Sequence, residues 1–231
     1  MNHRAPTPHY LIPSWRCSSG RHRLVFKILR RIVVLAGVLV FSATAAIAQT
    51  QTVAPPEAMV KSLNDSLLYM MKNAEALRFS GRRDFLAPRL NTVFNLPVMA
   101  RIVLGRRWRN LNQNQQQRLV DGFSRLTIAT YASRFDGWSG ESFEIRAVKP
   151  MRDKTVLVKT AILRPKADTV EINYLMHQFK SGWRVIDVYL KQSYSELATK
   201  RSEYSSVLRR RGFEALMRKI EQKVAQYATA G

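Results

Sequence analysis

Residues 142–190 constrain the fold most, because the period of the sequence changes there. Ser142–Val148, Thr155–Leu163, Val170–Phe179 and Trp183–Leu190 are rich in β-branched and aromatic residues and are joined by short polar stretches. Met151-Arg152-Asp153 and Lys166-Ala167-Asp168 read as turns, and Ser181-Gly182 is a hairpin signal. Four consecutive strands with such connections predict a four-stranded antiparallel meander. Val156, Val158 and Ile162 alternate with Leu157, Ala161 and Leu163, so the second strand is apolar on both faces. Such a sheet is covered on both sides, or covered on one and lines a cavity on the other.

Helical spacing flanks this block. Pro55-Pro56-Glu57 opens a helix, since proline fits the first turn and an acid suits the N-terminus. Met59, Leu63, Leu67, Met70, Ala74 and Leu77 give it one apolar face, and Ser80-Gly81 is expected to end it. Short helices are predicted over 85–94 and 97–104, and a long one over 114–135, with Asn112 and Gln115 as a capping box. After the strands, Ser193 and Glu196 form a second S-x-x-E capping box. Gly212 is a C-cap signal, and Phe213, Leu216, Ile220, Val224 and Tyr227 mark a last amphipathic helix. Helices, then a meander, then helices is an α+β architecture.

The N-terminus speaks to compartment. Residues 1–31 carry Arg4, Arg16, Arg21, Arg23, Lys27, Arg30 and Arg31 and no acid. Ile32–Phe41 is apolar, and Ala46-Ile47-Ala48 fits a small-residue cleavage site, so 1–48 reads as a secretory signal peptide. An uncleaved N-terminal anchor is the alternative, although the apolar run is short for a span. Residues 49–56 read as a linker and 57–231 as a single α+β domain of an exported chain. The 231 residues carry a net charge of +22, of which +15 stays with 49–231. Taken alone this charge suggests nucleic acid or an anionic lipid surface. Export makes nucleic acid a poor partner, and no RNP-like aromatic cluster or zinc-finger spacing is found.

The search for chemistry is mostly negative, so no catalytic residue and no cofactor or metal is expected. There is no P-loop and no G-x-G-x-x-G. The lone cysteine, Cys17, precedes the apolar run, and His177 is the only histidine after residue 48, which leaves a metal site short of ligands. Gly137-Trp138-Ser139-Gly140 has Glu141 where a nucleophile elbow needs glycine, and reads as a turn. His177 is expected to be a hydrogen-bonded strand residue. Strict alternation puts Asp187 on the face of Trp183, Val185 and Tyr189, where it is either an acid–base group or, the favoured reading, an ion-paired corner residue. The basic residues cluster in 78–109 and 200–223. Arg106, Arg107, Arg109, Arg209, Arg210 and Arg211 are candidate docking residues for an anionic membrane or an acidic partner, at about 1 kcal/mol for each basic group near such a surface.

Trp183-Arg184-Val185-Ile186-Asp187-Val188-Tyr189-Leu190, Ser195-Glu196-Leu197-Ala198, Arg201-Ser202-Glu203-Tyr204, Gly212 and Leu216 form a distinctive succession. Phe94-Asn95-Leu96-Pro97-Val98-Met99-Ala100-Arg101, Thr130-Tyr131-Ala132-Ser133-Arg134-Phe135 and Gly140-Glu141 with Phe143 precede it in order. Over about 55–227 this pattern resembles the MlaC/toluene-tolerance family of periplasmic lipid-binding proteins, and within it the hopanoid-biosynthesis-associated HpnM branch. The resemblance implies a twisted antiparallel sheet wrapped by helices, with an apolar pocket between them for lipid tails. It also implies a periplasmic carrier moving hopanoid or phospholipid between inner and outer membranes. The implied partners are an inner-membrane ABC-transporter complex with an MCE-type subunit, or a hopanoid transporter, and an outer-membrane lipoprotein complex.

Extracting a sixteen-carbon tail from a bilayer costs roughly 12 kcal/mol at about 0.8 kcal/mol per CH₂, which only an enclosed apolar cavity can offset. Leu63, Leu67, Phe94, Phe143, Val156, Val158, Ile172, Tyr174, Met176 and Val185 are the candidate lining residues; each has ordinary core packing as its competing role. Two other functions are compatible with the residues: an enzyme for a hydrophobic, hopanoid-type substrate using Asp187 and His177, and a basic envelope scaffold that binds no lipid.

Overall fold

The structure is a computed structural model that describes residues 54–191 and 194–229. The predicted signal peptide, the first residues of the linker and Ser193 lie outside the described residues. Helix α1 (Pro56–Lys72) begins with proline in its first turn and Glu57 beside it, as the sequence predicts. It buries Val60, Leu63, Leu67 and Met70. The helix ends at Asn73, well before Ser80-Gly81, and α2 (Ala74–Val93) starts at once. Gly81 therefore lies inside a helix. The expected break falls instead at Arg78, whose φ of 52° and ψ of −178° interrupt α2 near its start. Arg82, which belongs to the basic cluster of residues 78–109, is 3% exposed. Its guanidinium donates to the carbonyls of Ala74, at 3.1 Å, and Ala132, at 2.9 Å, both near helical stretch ends where carbonyls lack intrahelical partners.

Helix α3 (Leu96–Leu104) is capped by the Asn95 side chain, which accepts from Val98 N. A 3₁₀ turn over Gly105–Asn110 leads to α4 (Gln113–Arg134), where Asn112 and Gln115 form the predicted reciprocal capping box. The strands follow: β1 (Ser142–Pro150), β2 (Thr155–Arg164), β3 (Ala167–Phe179) and β4 (Gly182–Leu190). A short β5 (Tyr194–Ser195) pairs antiparallel with β4, so the sheet has five strands, not four, in sequential order. The fifth arises because the chain leaving β4 folds back along it before the final helix begins. The loop of the last hairpin is Lys180-Ser181, one residue earlier than predicted, since Gly182, at φ 103°, already pairs with Phe179.

Register fixes which residues face the helices. Val156 pairs with Met176, Val158 with Tyr174 and Ile162 with Val170, and this face joins the core. On the other face of β2, Ala161 is fully buried but Leu163 is 37% exposed, so coverage of that side is only local. Helix α5 (Glu196–Thr229) closes the fold. Its N-cap is Ser195, whose Oγ accepts from Ala198 N at 2.9 Å; the cap therefore lies two residues after the predicted Ser193. Gly212, at φ 77° and ψ 179°, splits α5 into two arms, as the C-cap signal anticipates.

Gly212 and Arg78 occupy the same sparsely populated backbone region, which only glycine visits freely, at about 1–3 kcal/mol for other residues. Substitutions should therefore act in opposite directions. Gly212→Ala should lower unfolding stability by about 1–3 kcal/mol in urea denaturation, whereas Arg78→Gly should raise it.

Candidate functional site

The site grows from β4, to which two helical segments are tied. Asn95 N donates to the Val185 carbonyl at 2.9 Å, and Phe94 bridges Val185 in parallel, fixing the start of α3 against the strand. On the same strand, Asp187 holds the start of α5. Its Oδ1 accepts from Val188 N at 2.7 Å and Leu197 N at 3.2 Å, and its Oδ2 accepts from the Ser195 hydroxyl at 2.6 Å. The carboxylate is thus a cap for the strand–helix corner, in place of the expected ion pair with an arginine.

A β-bulge explains where Asp187 points. Met176 pairs with Val185 and Tyr174 with Val188, so Val185 and Val188 share the helix-facing side although they are three residues apart. Ile186 is the extra residue, and Asp187, opposite Leu175, falls on the other face. Strict alternation groups Asp187 with Val185, and the bulge overturns that grouping. Burial pushes the Asp187 carboxyl above the usual range, and the hydrogen bonds from Ser195, Leu197 and Val188 oppose that rise.

Between the two tethered segments lies an apolar cavity of ≈ 80 Å³. Phe94, Phe135, Ile172, Val188, Leu190 and Leu197 supply apolar walls from the junction of α2 and α3, the end of α4, the start of α5 and the sheet. Aromatic contacts stiffen one wall. Phe94 meets Tyr131 edge-on at 5.7 Å, and Tyr131 stacks on Phe135 at 5.7 Å. Thr127 and Thr130 also line the cavity but return their hydroxyls to the carbonyls of Phe123 and Leu126, so the helix satisfies them. Burial pushes the Tyr131 and Tyr174 phenols well up, keeping both neutral. Arg134, Glu196 and Lys200 complete the rim, with Arg134 and Glu196 3.7 Å apart.

Of the predicted lining residues, Phe94 and Ile172 face this cavity. Leu63, Leu67, Val158, Tyr174, Met176 and Val185 are buried in the common core, and Phe143 and Val156 pack on it partly exposed. Phe143 lies 6.2 Å from Phe135, one ring beyond the cavity wall. Sequence reasoning missed the α4 and α5 contributions, Tyr131, Phe135 and Leu197, and Val188 on β4. The motifs Thr130–Phe135 and Ser195–Ala198 carried that signal, but their helical faces could not be matched to the sheet before the tertiary packing was known.

Among the predicted docking residues, Arg106, Arg109, Arg209, Arg210 and Arg211 are exposed and Arg107 is half-buried. Arg107 donates to the Ser205 hydroxyl at 3.5 Å, and both Nε and Nη2 of Arg201 reach the Ile102 carbonyl, the first at 3.1 Å. The 3₁₀ turn and the first arm of α5 are thereby joined. His177 stacks on Phe179 at 4.7 Å, and its Nδ1 is buried without a hydrogen-bond partner among the described residues, contrary to the bonded histidine expected. The Gly137–Gly140 segment is a turn, held by Trp138 Nε1 donating to the Glu141 carbonyl at 2.9 Å. Neither Asp187 nor His177 lines the apolar cavity.

The family model described as MlaC protein matches residues 61–222. The chain belongs to the MlaC family. Within this MlaC chain the match spans α1 to the second arm of α5, including every wall of the cavity. A phospholipid-binding protein from Ralstonia solanacearum, solved in complex with a phospholipid, shares the fold. It is 22% identical with a TM-score of 0.68, and the match covers 76% of this chain and 99% of that one.

The Asp187 cap is testable through pH. Its folded carboxyl binds a proton more tightly than the unfolded one, so its contribution to stability falls as pH rises from about 4 through the raised folded value, then levels off. Asp187→Asn should remove this slope in pH-resolved urea titrations. Asp187→Ala, which orphans Leu197 N and the Ser195 hydroxyl, should cost about 1–3 kcal/mol at neutral pH.

Proposed function

We propose that this chain is a periplasmic lipid carrier that takes lipid tails into the cavity between the sheet and helices α4 and α5, and shuttles them between the inner and outer membranes. The observation that carries this reading is an apolar cavity walled by sheet and helices in an MlaC-family chain. The shared fold with a protein solved in complex with a phospholipid supports the class of cargo. The resemblance of residues 183–216 to the hopanoid-associated branch extends that cargo to hopanoids. The basic apolar leader supports export, with cleavage after Ala48.

The carrier loads by opening. A cavity of ≈ 80 Å³ is smaller than the roughly 150 Å³ that accepts benzene, so a tail enters only when the walls separate. The seam that parts is the one between α4 and the first arm of α5. Across the cavity rim it is closed by the Arg134–Glu196 pair, whose side chains are 53% and 28% exposed, and such pairs contribute little. The incoming tail then packs against the walls in place of their packing on one another. Catalysis has no part in this cycle: Asp187 is occupied as a helix cap and His177 sits on Phe179 away from the cavity. The exposed arginines of the 3₁₀ turn and of Arg209–Arg211 bring the carrier to anionic surfaces, or to the ABC-transporter/MCE-type and lipoprotein complexes of the two membranes.

Native mass spectrometry of residues 49–231 should detect bound lipid, and extraction should identify phospholipid or hopanoid. Protein that is repeatedly lipid-free and takes none from vesicles would refute the carrier. Val188→Phe, which fills the cavity, should lower the lipid load severalfold while far-UV circular dichroism stays native. Replacing Arg106 and Arg209 by glutamine should weaken binding to anionic vesicles on the order of 30-fold, from about 1 kcal/mol per charge, in a salt-dependent way.

A further inference from the structure

A second cleft, of ≈ 330 Å³, lies between the two arms of α5 and beside α4, and its character is opposite to that of the apolar cavity. Lys200, Lys219 and Lys223 line it, together with Glu203, Tyr204 and Gln226. Glu203 pairs with Lys219 at 2.7 Å. No acidic partner pairs with Lys200 or Lys223 among the described residues; Lys223 Nζ rests 5.1 Å from the Tyr227 ring. The cleft thus keeps two uncompensated ammonium groups. Tyr204 is 2% exposed, and its hydroxyl is buried with no hydrogen-bond partner among the described residues. Tyr204 lines this cleft as a residue, and its hydroxyl is a donor that no group among the described residues accepts.

Lys200 lines both the cleft and the apolar cavity. Leu197, Lys200 and Tyr204 follow one another at spacings of three and four, so one face of α5 runs from the apolar wall to the cationic one. The step from Leu197 to Tyr204 is about 10 Å at 1.5 Å per residue. A molecule with an apolar tail and an anionic group about one helix-turn or two beyond it fits this order.

We infer that the cleft between the arms of α5 is a phosphate-recognising subsite, in which Lys200 and Lys223 pair with the phosphate oxygens of the bound lipid and the Tyr204 hydroxyl donates to one of them. This assignment rests on the carrier reading above and adds to it the chemistry of the headgroup. It makes the carrier selective for phosphorylated lipids over neutral lipids with the same tails. Glu203 holds Lys219 in place and leaves the other two ammonium groups to the ligand. Charge-assisted bonds of this kind are about twice as strong as neutral ones, and a site built to make them discriminates strongly against a ligand that cannot.

The test is competition from mixed vesicles holding equal amounts of phosphatidylglycerol and a diacylglycerol with identical chains, read by native mass spectrometry of the purified chain. The expected wild-type ratio favours phosphatidylglycerol at least tenfold. Lys200→Gln with Lys223→Gln should bring the ratio to within about twofold of one. Tyr204→Phe should lower it severalfold while the lipid-free melting temperature holds or rises, because the deleted hydroxyl has no partner in the free protein. A wild type that loads both lipids equally, or variants that keep the wild-type ratio, overturns the subsite and leaves the carrier standing. A wild type that loads neither lipid overturns the carrier, and the subsite with it. Inorganic phosphate is titrated into lipid-free protein and followed by ³¹P NMR as the separating arm. Phosphate binding that depends on Lys200 and Lys223, with no headgroup preference, assigns the cleft to free phosphate and overturns the lipid assignment.

Discussion

The fold depends on what one near-edge strand can hold. β4 carries the Val185 carbonyl that receives Asn95 N and, two residues on, the Asp187 carboxylate that receives Leu197 N and the Ser195 hydroxyl. These bonds fix where α3 and α5 start relative to the sheet, and so set the walls of the cavity. The carboxylate is costly to bury, which shows in the upward displacement of its titration. It is tolerated because three donors converge on it, Val188 N from the strand itself and the Ser195 hydroxyl and Leu197 N from the strand–helix corner. A neutral or apolar side chain there would avoid the desolvation cost and lose the corner.

The helices add a second layer of constraint around that corner. Arg82 is almost fully buried, and its guanidinium gathers carbonyls from both α2 and α4, which keeps the break at Arg78 compatible with a packed core. α4 and the second arm of α5 approach closely at Gly122, where a Cβ would lie 2.9 Å from Met217 Cε. The exposed Arg118–Glu214 pair, with contacts of 2.7 and 2.8 Å, spans the same pair of helices and adds little energy in water. Packing of this second arm is therefore tight, whereas the first arm closes over a cavity. The two halves of α5 meet at Gly212 and differ in how much packing must be given up for either to move.

Much of this was legible in the sequence, and the misses have physical causes. The strand block, the Asn112–Gln115 capping box and the Gly212 break are local features, written in side-chain period and backbone preference, and they appear nearly where expected. The early end of α1 at Asn73, the burial of Arg82 and the fifth strand are tertiary outcomes, because each depends on partners far along the chain. The cavity shows the same division. Phe94 and Ile172 were recoverable as apolar residues in a recognisable pattern. Tyr131, Phe135 and Leu197 come from helices whose rotation about their own axes no short motif specifies. Charge was the least informative signal: residues grouped as one basic cluster include a buried structural arginine and exposed ones.

The bulge at Ile186 gives the chain a parity. Before it, odd-numbered residues of β4 such as Val185 turn toward the helices; after it, even-numbered ones such as Val188 and Leu190 do. Flattening the bulge with every residue kept would restore a plain alternation, swing Asp187 toward the helix-facing side and send Val188 and Leu190 outward. Inside and outside would exchange along the rest of the strand without a single side chain being altered. A frame of one residue, held by strand pairing alone, thus separates a greasy interior from a polar hinge.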